Sequence, residues 1–470
     1  MRNRFLFYFL IVLVMTCPVK GQVKKQLTEA DYKLWSTLEI NQLSEKGNWV
    51  SYSLYNETAG DTLFVRNTTT LKTFAFPGSA GGKFAADNAF VVRANNGDVL
   101  LKNLNNGSEQ RFSNIGNYSV TLGGKFVIMH RKDESVSGDL LVVGTDGTEL
   151  LKLPNVSLYT LNPDRTQLVC DSGKKLHLVN LKKIQPVKVI DTVEREYTRF
   201  VWQNNGLSFG WCSGKDMVAV GLYRIRDGKS YTFDRSKFGD FPVNGVIANP
   251  DGLELKISDD GARIFFNVMV TKPATDSTGV QIWNTADKML YAARAAFNNI
   301  SDVLKLAVWF PDAEKFRMVT NDRYPRIIQI PGQSYALVYN PLDNEPQFDS
   351  DAPINYYLQN ITTGQQDLLL SDQSANVKTL EISKNGKYIA YFRNNHWCLY
   401  DIKSGMLRNL TAKISGEFTH EKYDRSGEKA VCGIAGWTEN GSEVMIYDSY
   451  DIWLFKTDGT KAVRLTNGRE

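Results

Sequence analysis

One pattern of apolar and polar positions recurs along the chain. An apolar residue is followed by a short polar turn that ends in glycine, and apolar residues return three and five positions after that glycine. The copies run from Leu43 to Gly47, Trp202 to Gly206, Ile257 to Gly261, Ile382 to Gly386 and Trp437 to Gly441, with a sixth from Leu161 that has Arg165 in place of glycine. A polar residue before glycine is typical of a tight hairpin turn, and apolar residues at even spacing mark one face of a strand. The pattern predicts repeated β-hairpins.

Additional strand pairs extend these hairpins into larger units. The clearest are His396 to Tyr400 with Met406 to Leu410, and Ile452 to Phe455 with Ala462 to Leu465. Weaker pairs are Ala89 to Val92 with Val99 to Leu101, Phe126 to Met129 with Leu140 to Val143, and Ser334 to Tyr339 with Ile354 to Leu358. Four short strands in about 40 to 50 residues are typical of a propeller blade.

The units number about eight or nine, whereas propellers typically have four to eight blades. The prediction is therefore an all-β fold, a β-propeller of about seven to eight four-stranded blades, with a last blade left incomplete at the C-terminus as an alternative. Helix signals are restricted to Glu29 to Leu38 and Thr285 to Phe297.

The N-terminus has the pattern of an export signal. Arg2 and Arg4 precede an apolar run from Phe5 to Met15, and polarity returns at Lys20. The run is shorter than the roughly 20 residues that span a bilayer. We expect residues 1–21 to be a signal peptide and residues 22–470 to be exported to the periplasm or the extracellular space. Cys17 offers a lipoprotein as the alternative.

Charge and composition are those of an ordinary globular protein. Of the 470 residues 42% are hydrophobic, and the net charge is +4. Removing Arg2, Arg4 and Lys20 with the signal peptide leaves +1, that is 4 minus 3. A charge so near zero gives no electrostatic reason to expect nucleic acid or anionic lipid as a partner, and no later segment is long and apolar enough to span a membrane.

Four cysteines follow the predicted signal peptide, at positions 170, 212, 398 and 432. Their spacing fits no zinc or redox motif. Free, buried thiols are the favoured prediction, and a Cys398–Cys432 disulfide is the alternative because these residues fall in neighbouring units.

Candidate catalytic groups do not form a recognisable set. Gly206 to Gly210 matches the G-x-S-x-G string of a serine hydrolase, but Ser208 follows a hairpin turn, whereas a nucleophile elbow joins a strand to a helix. The histidines, at positions 130, 177, 396 and 420, are scattered over different units. Nucleotide, zinc and calcium motifs are absent from the sequence, so we predict no catalytic residue, no metal and no cofactor. Tryptophans 202, 211, 283, 397, 437 and 453 are expected to pack in the core.

Several longer segments are more specific than the repeat. Together they resemble the N-terminal propeller region of exported bacterial members of the prolyl oligopeptidase family, the dipeptidyl-peptidase-like serine peptidases. The segments that carry the resemblance are residues 280–284, 307–311, 339–348, 386–392, 433–438, 450–453 and 464–468.

In that family the propeller admits small peptides to a C-terminal α/β-hydrolase domain, which supplies the Ser, Asp and His triad. This sequence stops before such a domain. The resemblance therefore implies the non-catalytic propeller portion of a secreted peptidase, with peptides or a separately supplied hydrolase domain as partners.

The resemblance also singles out Glu194 and Glu196. Dipeptidyl peptidases hold the amino terminus of the substrate with paired glutamates of the propeller, because carboxylates pair well with an ammonium group. In this chain the segment Glu194-Arg195-Glu196-Tyr197 matches that motif poorly, so a solvated strand edge is the favoured interpretation and substrate binding by Glu194 and Glu196 is the alternative.

Two other functions fit the same repeat. The first is a stand-alone propeller that binds peptides or glycans, closed by a strand around Leu38 to Leu43 that would complete the last blade. The second is a glycosidase with two converging carboxylates. The sequence leaves the oligomeric state open.

Overall fold

The computed structural model describes residues 26–56, 60–79, 81–131, 137–184, 187–191, 193–214, 218–248, 255–270, 283–286, 304–344, 352–424 and 429–468. These residues form nine antiparallel sheets, eight of four strands and one of five. Consecutive strands are neighbours in each four-stranded sheet, which is the meander of a propeller blade, whereas two short strands of the five-stranded sheet pair with the same neighbour. The predicted fold class, an all-β β-propeller, is confirmed. The predicted signal peptide, residues 1–21, lies outside the described residues, as does almost all of the helix predicted from Thr285 to Phe297.

The chain divides into two compact units, Met1–Leu153 and Pro154–Glu470. The first unit contains three sheets, and the last strand of its third sheet runs past the division. Their strands are β1 (Ser36–Leu43), β2 (Trp49–Asn56), β3 (Thr62–Asn67) and β4 (Thr73–Pro77); β5 (Gly82–Ala85), β6 (Ala89–Arg93), β7 (Val99–Asn103) and β8 (Glu109–Phe112); and β9 (Ile115–Val120), β10 (Phe126–Arg131), β11 (Gly138–Gly144) and β12 (Glu149–Val156). Short 3-10 helices lie at Glu29–Leu34 and Leu122–Gly124.

The second unit contains six sheets. The first three are β13 (Tyr159–Leu161), β14 (Gln167–Ser172), β15 (Lys175–Asn180) and β16 (Lys188–Asp191); β17 (Tyr197–Trp202), β18 (Ser208–Ser213), β19 (Ala219–Arg224) and β20 (Ser230–Thr232); and β21 (Gly245–Ile247), β22 (Lys256–Ile257), β23 (Ile264–Val270), β24 (Lys305–Phe310) and β25 (Lys315–Met318).

The other three sheets of this unit are β26 (Arg326–Gln329), β27 (Tyr335–Tyr339), β28 (Ile354–Asn360) and β29 (Gln366–Gln373); β30 (Leu380–Ile382), β31 (Tyr388–Arg393), β32 (His396–Asp401) and β33 (Leu407–Asn409); and β34 (Ile434–Trp437), β35 (Glu443–Tyr447), β36 (Ile452–Lys456) and β37 (Ala462–Arg464). Short 3-10 helices lie at Arg235–Lys237 and Val377–Thr379.

Within each unit the core lies between successive sheets, so that most sheets are buried on both faces. In β6, Phe90 and Val92 contact the first sheet, whereas Ala89 and Val91 contact the third. Because side chains of a strand alternate between its faces, a strand buried on both sides reads as a continuous apolar run. The run Ile264-Phe265-Phe266 in β23 has the same origin, since its residues divide between two cores.

The turns of the sequence repeat join the first and second strands of the four-stranded blades, and join β22 to β23 in the five-stranded sheet. A buried serine begins three of these turns, and its hydroxyl accepts a hydrogen bond from the backbone N–H five residues later. The N···O distances are 3.0 Å from Trp49 to Ser44, 3.0 Å from Arg263 to Ser258 and 2.9 Å from Tyr388 to Ser383. The hydroxyl thereby satisfies a backbone donor that the hairpin leaves inside the protein.

Three sequence predictions need correction. The described residues form nine sheets rather than seven to eight blades, since the weak pair from Ala89 and the repeat copy from Leu161 that lacks the glycine both belong to complete four-stranded sheets. The helix expected from Glu29 to Leu38 is a 3-10 helix that ends at Leu34, and the next residues enter β1. Pairing with β2 outweighs the local helix preference there. The segment from Leu38 to Leu43 therefore belongs to the first sheet, while β34 to β37 form the last sheet from their own residues.

The tryptophans follow the core prediction in most cases. Trp211, Trp397 and Trp437 are buried, and Trp202 and Trp453 are half-buried, whereas Trp283 is 60% exposed. Helices of the described residues are all too short to span a bilayer.

Candidate ligand site at Glu194 and Glu196

Glu194 and Glu196 lie in the connection between β16, the last strand of one blade, and β17, the first strand of the next. From Glu194 to Tyr197 exposure alternates: Glu194 and Glu196 are exposed, Arg195 is half-buried and Tyr197 is buried, while Val193 before them is also exposed. Such alternation is typical of an extended segment with one face toward solvent. The two carboxylates therefore share the solvent face.

Hydrogen bonds to both neighbouring blades hold this connection. The backbone N–H of Val193 donates to the Asp191 carboxylate at 2.9 Å, and that of Arg195 donates to the carbonyl of Lys174 at 2.9 Å. The N–H of Gly214, just after β18, donates to the carbonyl of Glu196 at 2.8 Å. The backbone beneath the two carboxylates is thus held between elements of the fourth and fifth sheets of the chain, which favours a preorganised site.

Arg195 is turned toward the protein. Its Nε lies 3.4 Å from Oδ2 of Asp191, and its guanidinium carbon lies 5.3 Å from the centre of the Trp211 ring. Trp211 is fully buried and meets the ring of Tyr197 edge-on at 5.7 Å. The arginine is therefore held by an aspartate and an indole rather than by the neighbouring glutamates.

No ion pair or side-chain hydrogen bond engages Glu194 or Glu196 within the described part of the chain. Arg195, the cation between them in sequence, is paired with Asp191 instead. Two carboxylates on one solvent-facing segment can accept hydrogen bonds from a single ammonium group.

Burial near this segment favours the neutral forms of two ionisable side chains, Tyr197 and Asp171. Burial, and then the nearby Asp191 carboxylate, raise the pKa of the Tyr197 phenol above its usual value. Burial also raises the pKa of the Asp171 carboxyl, although it accepts hydrogen bonds from the N–H groups of Ser157 and Leu158 at 2.8 and 2.7 Å.

The G-x-S-x-G string lies in a hairpin, as the sequence predicts. Gly206 closes the turn between β17 and β18, and Ser208 is the buried first residue of β18. A strand therefore follows the serine where a hydrolase would have a helix. The histidines of β10, β15 and β32, at positions 130, 177 and 396, and His420 in the connection before β34 lie in other parts of the fold.

The four cysteines are free thiols. Cys170 and Cys212 are buried, as favoured from the sequence, and Cys398 and Cys432 are half-buried and unbridged. Cys398 lies in the middle of β32, where its thiol contacts Tyr391, whereas the thiol of Cys432 contacts Ser449. The alternative of a Cys398–Cys432 disulfide is therefore wrong for this structure.

Metal-binding geometry is not found in the described residues, where no group of three or more His, Cys, Asp and Glu side chains could hold an ion. The partners that fix Arg195, namely Asp191 and Trp211, were not predicted from the sequence. Asp191 ends one blade and Trp211 belongs to the second strand of the next, so nothing in the local pattern links them.

Comparison with known proteins gives structural matches only. No protein-family model matches the chain, and no curated protein does. Among solved structures, the tricorn protease matches with a TM-score of 0.34 at 9% identity, over 92% of this chain and 43% of that chain. Porphyromonas gingivalis dipeptidyl peptidase 4 matches with a TM-score of 0.36 at 13% identity, over 94% of this chain and 56% of that chain. Kuenenia stuttgartiensis hydrazine synthase matches with a TM-score of 0.29 at 9% identity, over 83% of this chain and 98% of that chain. This chain thus spans about half the length of the two peptidases, and at these scores the matches assign no family and no substrate.

Proposed function

We propose that this chain is the non-catalytic propeller portion of a secreted serine peptidase of the prolyl oligopeptidase type, and that it binds short peptides by their amino terminus. In this proposal Glu194 and Glu196 hold the ammonium group, and an α/β-hydrolase domain supplies the catalytic triad. The proposal includes export directed by residues 1–21.

The observation that carries the proposal is the shared solvent face of the two glutamates. Both side chains are exposed, while the intervening Arg195 is drawn to Asp191 and Trp211. An ammonium group offers three donors and suits two adjacent carboxylates, whereas an anionic ligand would be repelled. A free peptide amino terminus is a ligand of this kind.

The exposure of Glu194 and Glu196 determines how strongly they are expected to favour a free amine over a neutral group. An exposed ion pair contributes about 0.2–1 kcal/mol, so two pairs favour a free amine over a neutral one by roughly a factor of ten. The rest of the affinity has to come from contacts of the peptide chain with the blades.

The test is a calorimetric titration of the protein with an alanine-proline-alanine-alanine peptide and with its N-acetylated form. We expect the free amine to bind about tenfold more tightly, and we expect the difference to shrink at high salt because exposed charges are screened. Equal affinity for the two forms, or tighter binding of the acetylated one, would overturn the proposal.

A further inference from the structure

The first strand of the first blade, β1, differs from its counterparts in length and exposure. Among the described residues it pairs only with β2 and forms the edge of its sheet. Seven of its eight residues are exposed and Gln42 is half-buried. The first strands β5, β9, β13, β17, β26, β30 and β34 have three to six residues. Within the described part of the chain, the backbone donors and acceptors on the outer side of this long edge have no strand paired to them.

β1 has few of the features that protect edge strands. The sequence from Ser36 to Leu43 contains no lysine and no proline, and its one charge is Glu39. A bulge interrupts the pairing between Ile40 and Gln42, and Asn41 at that bulge accepts a hydrogen bond from the Ser53 hydroxyl at 3.1 Å. The portion from Ser36 to Ile40 is therefore regular and open to pairing.

The two faces of β1 have different chemistry. Leu38 lies opposite Leu54, and Ile40 lies opposite Tyr52, whose ring stacks on Phe64 with centroids 5.4 Å apart. Leu38 and Ile40 are 58% and 67% exposed. Glu39 points to the other face, opposite Ser53. A strand added to this edge would meet apolar side chains on one face and a carboxylate on the other.

We propose that β1 docks an extended polypeptide segment that carries apolar residues at alternate positions and a lysine or arginine between them. The backbone of the segment would add a strand to the sheet, the apolar residues would cover Leu38 and Ile40, and the basic residue would pair with Glu39. The charge of Glu39 and the alternation of apolar and polar side chains along β1 thus specify the chemistry of the partner. This inference does not depend on the function proposed for Glu194 and Glu196.

The test uses a fluorescent peptide of about ten residues that alternates valine with lysine, acetylated and amidated so that it offers no free amino terminus. We expect saturable binding, and we expect slower amide hydrogen exchange in residues 36–43 when the peptide is bound. The double variant Leu38→Lys/Ile40→Lys places two positive charges opposite the peptide and should weaken binding about tenfold or more.

The matched control is Leu150→Lys, which changes an exposed apolar residue on β12, the edge strand of another sheet in the same unit. It should leave the affinity unchanged. The proposal is wrong if β1 amides are already protected in the free protein, since another strand would then occupy the edge. Binding that persists unchanged in the double variant, or exchange protection that depends on protein concentration and so reports a second copy at the edge, would equally overturn it.

Discussion

Replacement of Gly386 by alanine is expected to destabilise the six-sheet unit by about 3 kcal/mol or more. Gly386 ends the turn between β30 and β31 with a φ of +67°, where an L side chain costs about 1–2 kcal/mol. An added Cβ would also overlap the carbonyl oxygen of Pro331, in the turn of the neighbouring sheet, and would lie 2.9 Å from its carbonyl carbon. Backbone atoms cannot rotate away as a side chain would, so two blades would have to separate.

Gly405 provides a matched control in the same sheet. Its φ of +68° equals that of Gly386 within a degree, but the nearest atom to an added Cβ is the Tyr400 hydroxyl oxygen at 3.8 Å. Gly405→Ala should therefore cost only the backbone term of about 1–2 kcal/mol. Urea denaturation followed by tryptophan fluorescence measures both variants. Equal losses of stability would show that contact between the two turns contributes nothing.

Replacement of both glutamates by glutamine is expected to weaken binding of the free-amine peptide about tenfold and to leave the acetylated peptide unaffected. Glutamine keeps the size of each side chain and removes the charge, so the difference between the two peptides should disappear in Glu194→Gln/Glu196→Gln. Calorimetry with both peptides gives the four affinities from which this coupling is calculated.

The control for this variant is Glu439→Gln, which removes an exposed carboxylate from the turn between β34 and β35 in the same unit. It should preserve the preference for the free amine. An equal loss of affinity for the free-amine peptide in Glu439→Gln would mean that only the net charge of the protein attracts the peptide. A double variant that retains the preference would place the ammonium group elsewhere.

The sequence predicted the fold through features that local chemistry determines. Turn glycines such as Gly386 and the even spacing of apolar residues identified hairpins, and the pairs β32–β33 and β36–β37 lie where expected. The hydroxyls of Ser258 and Ser383 were missed, because their role depends on a backbone donor that becomes buried only in the folded hairpin.

Long-range contacts account for the rest. The residues from Ser36 to Leu43 pair with β2, and the helix pattern at the start of the chain does not reveal that partner. At the candidate site the sequence identified Glu194 and Glu196, but the position of Arg195 depends on Trp211, sixteen residues later, and on packing between two blades. Which charged side chains can meet a ligand depends on their exposure in the folded protein, and residue type alone does not reveal it.

The most direct test of the central claim is a crystal structure of the protein with the alanine-proline-alanine-alanine peptide. We predict density for the peptide amino terminus with its nitrogen at hydrogen-bonding distance, about 2.7–3.2 Å, from carboxylate oxygens of Glu194 and Glu196, with Arg195 still on Asp191. Peptide density at another part of the surface, with both glutamates facing solvent, would contradict the account.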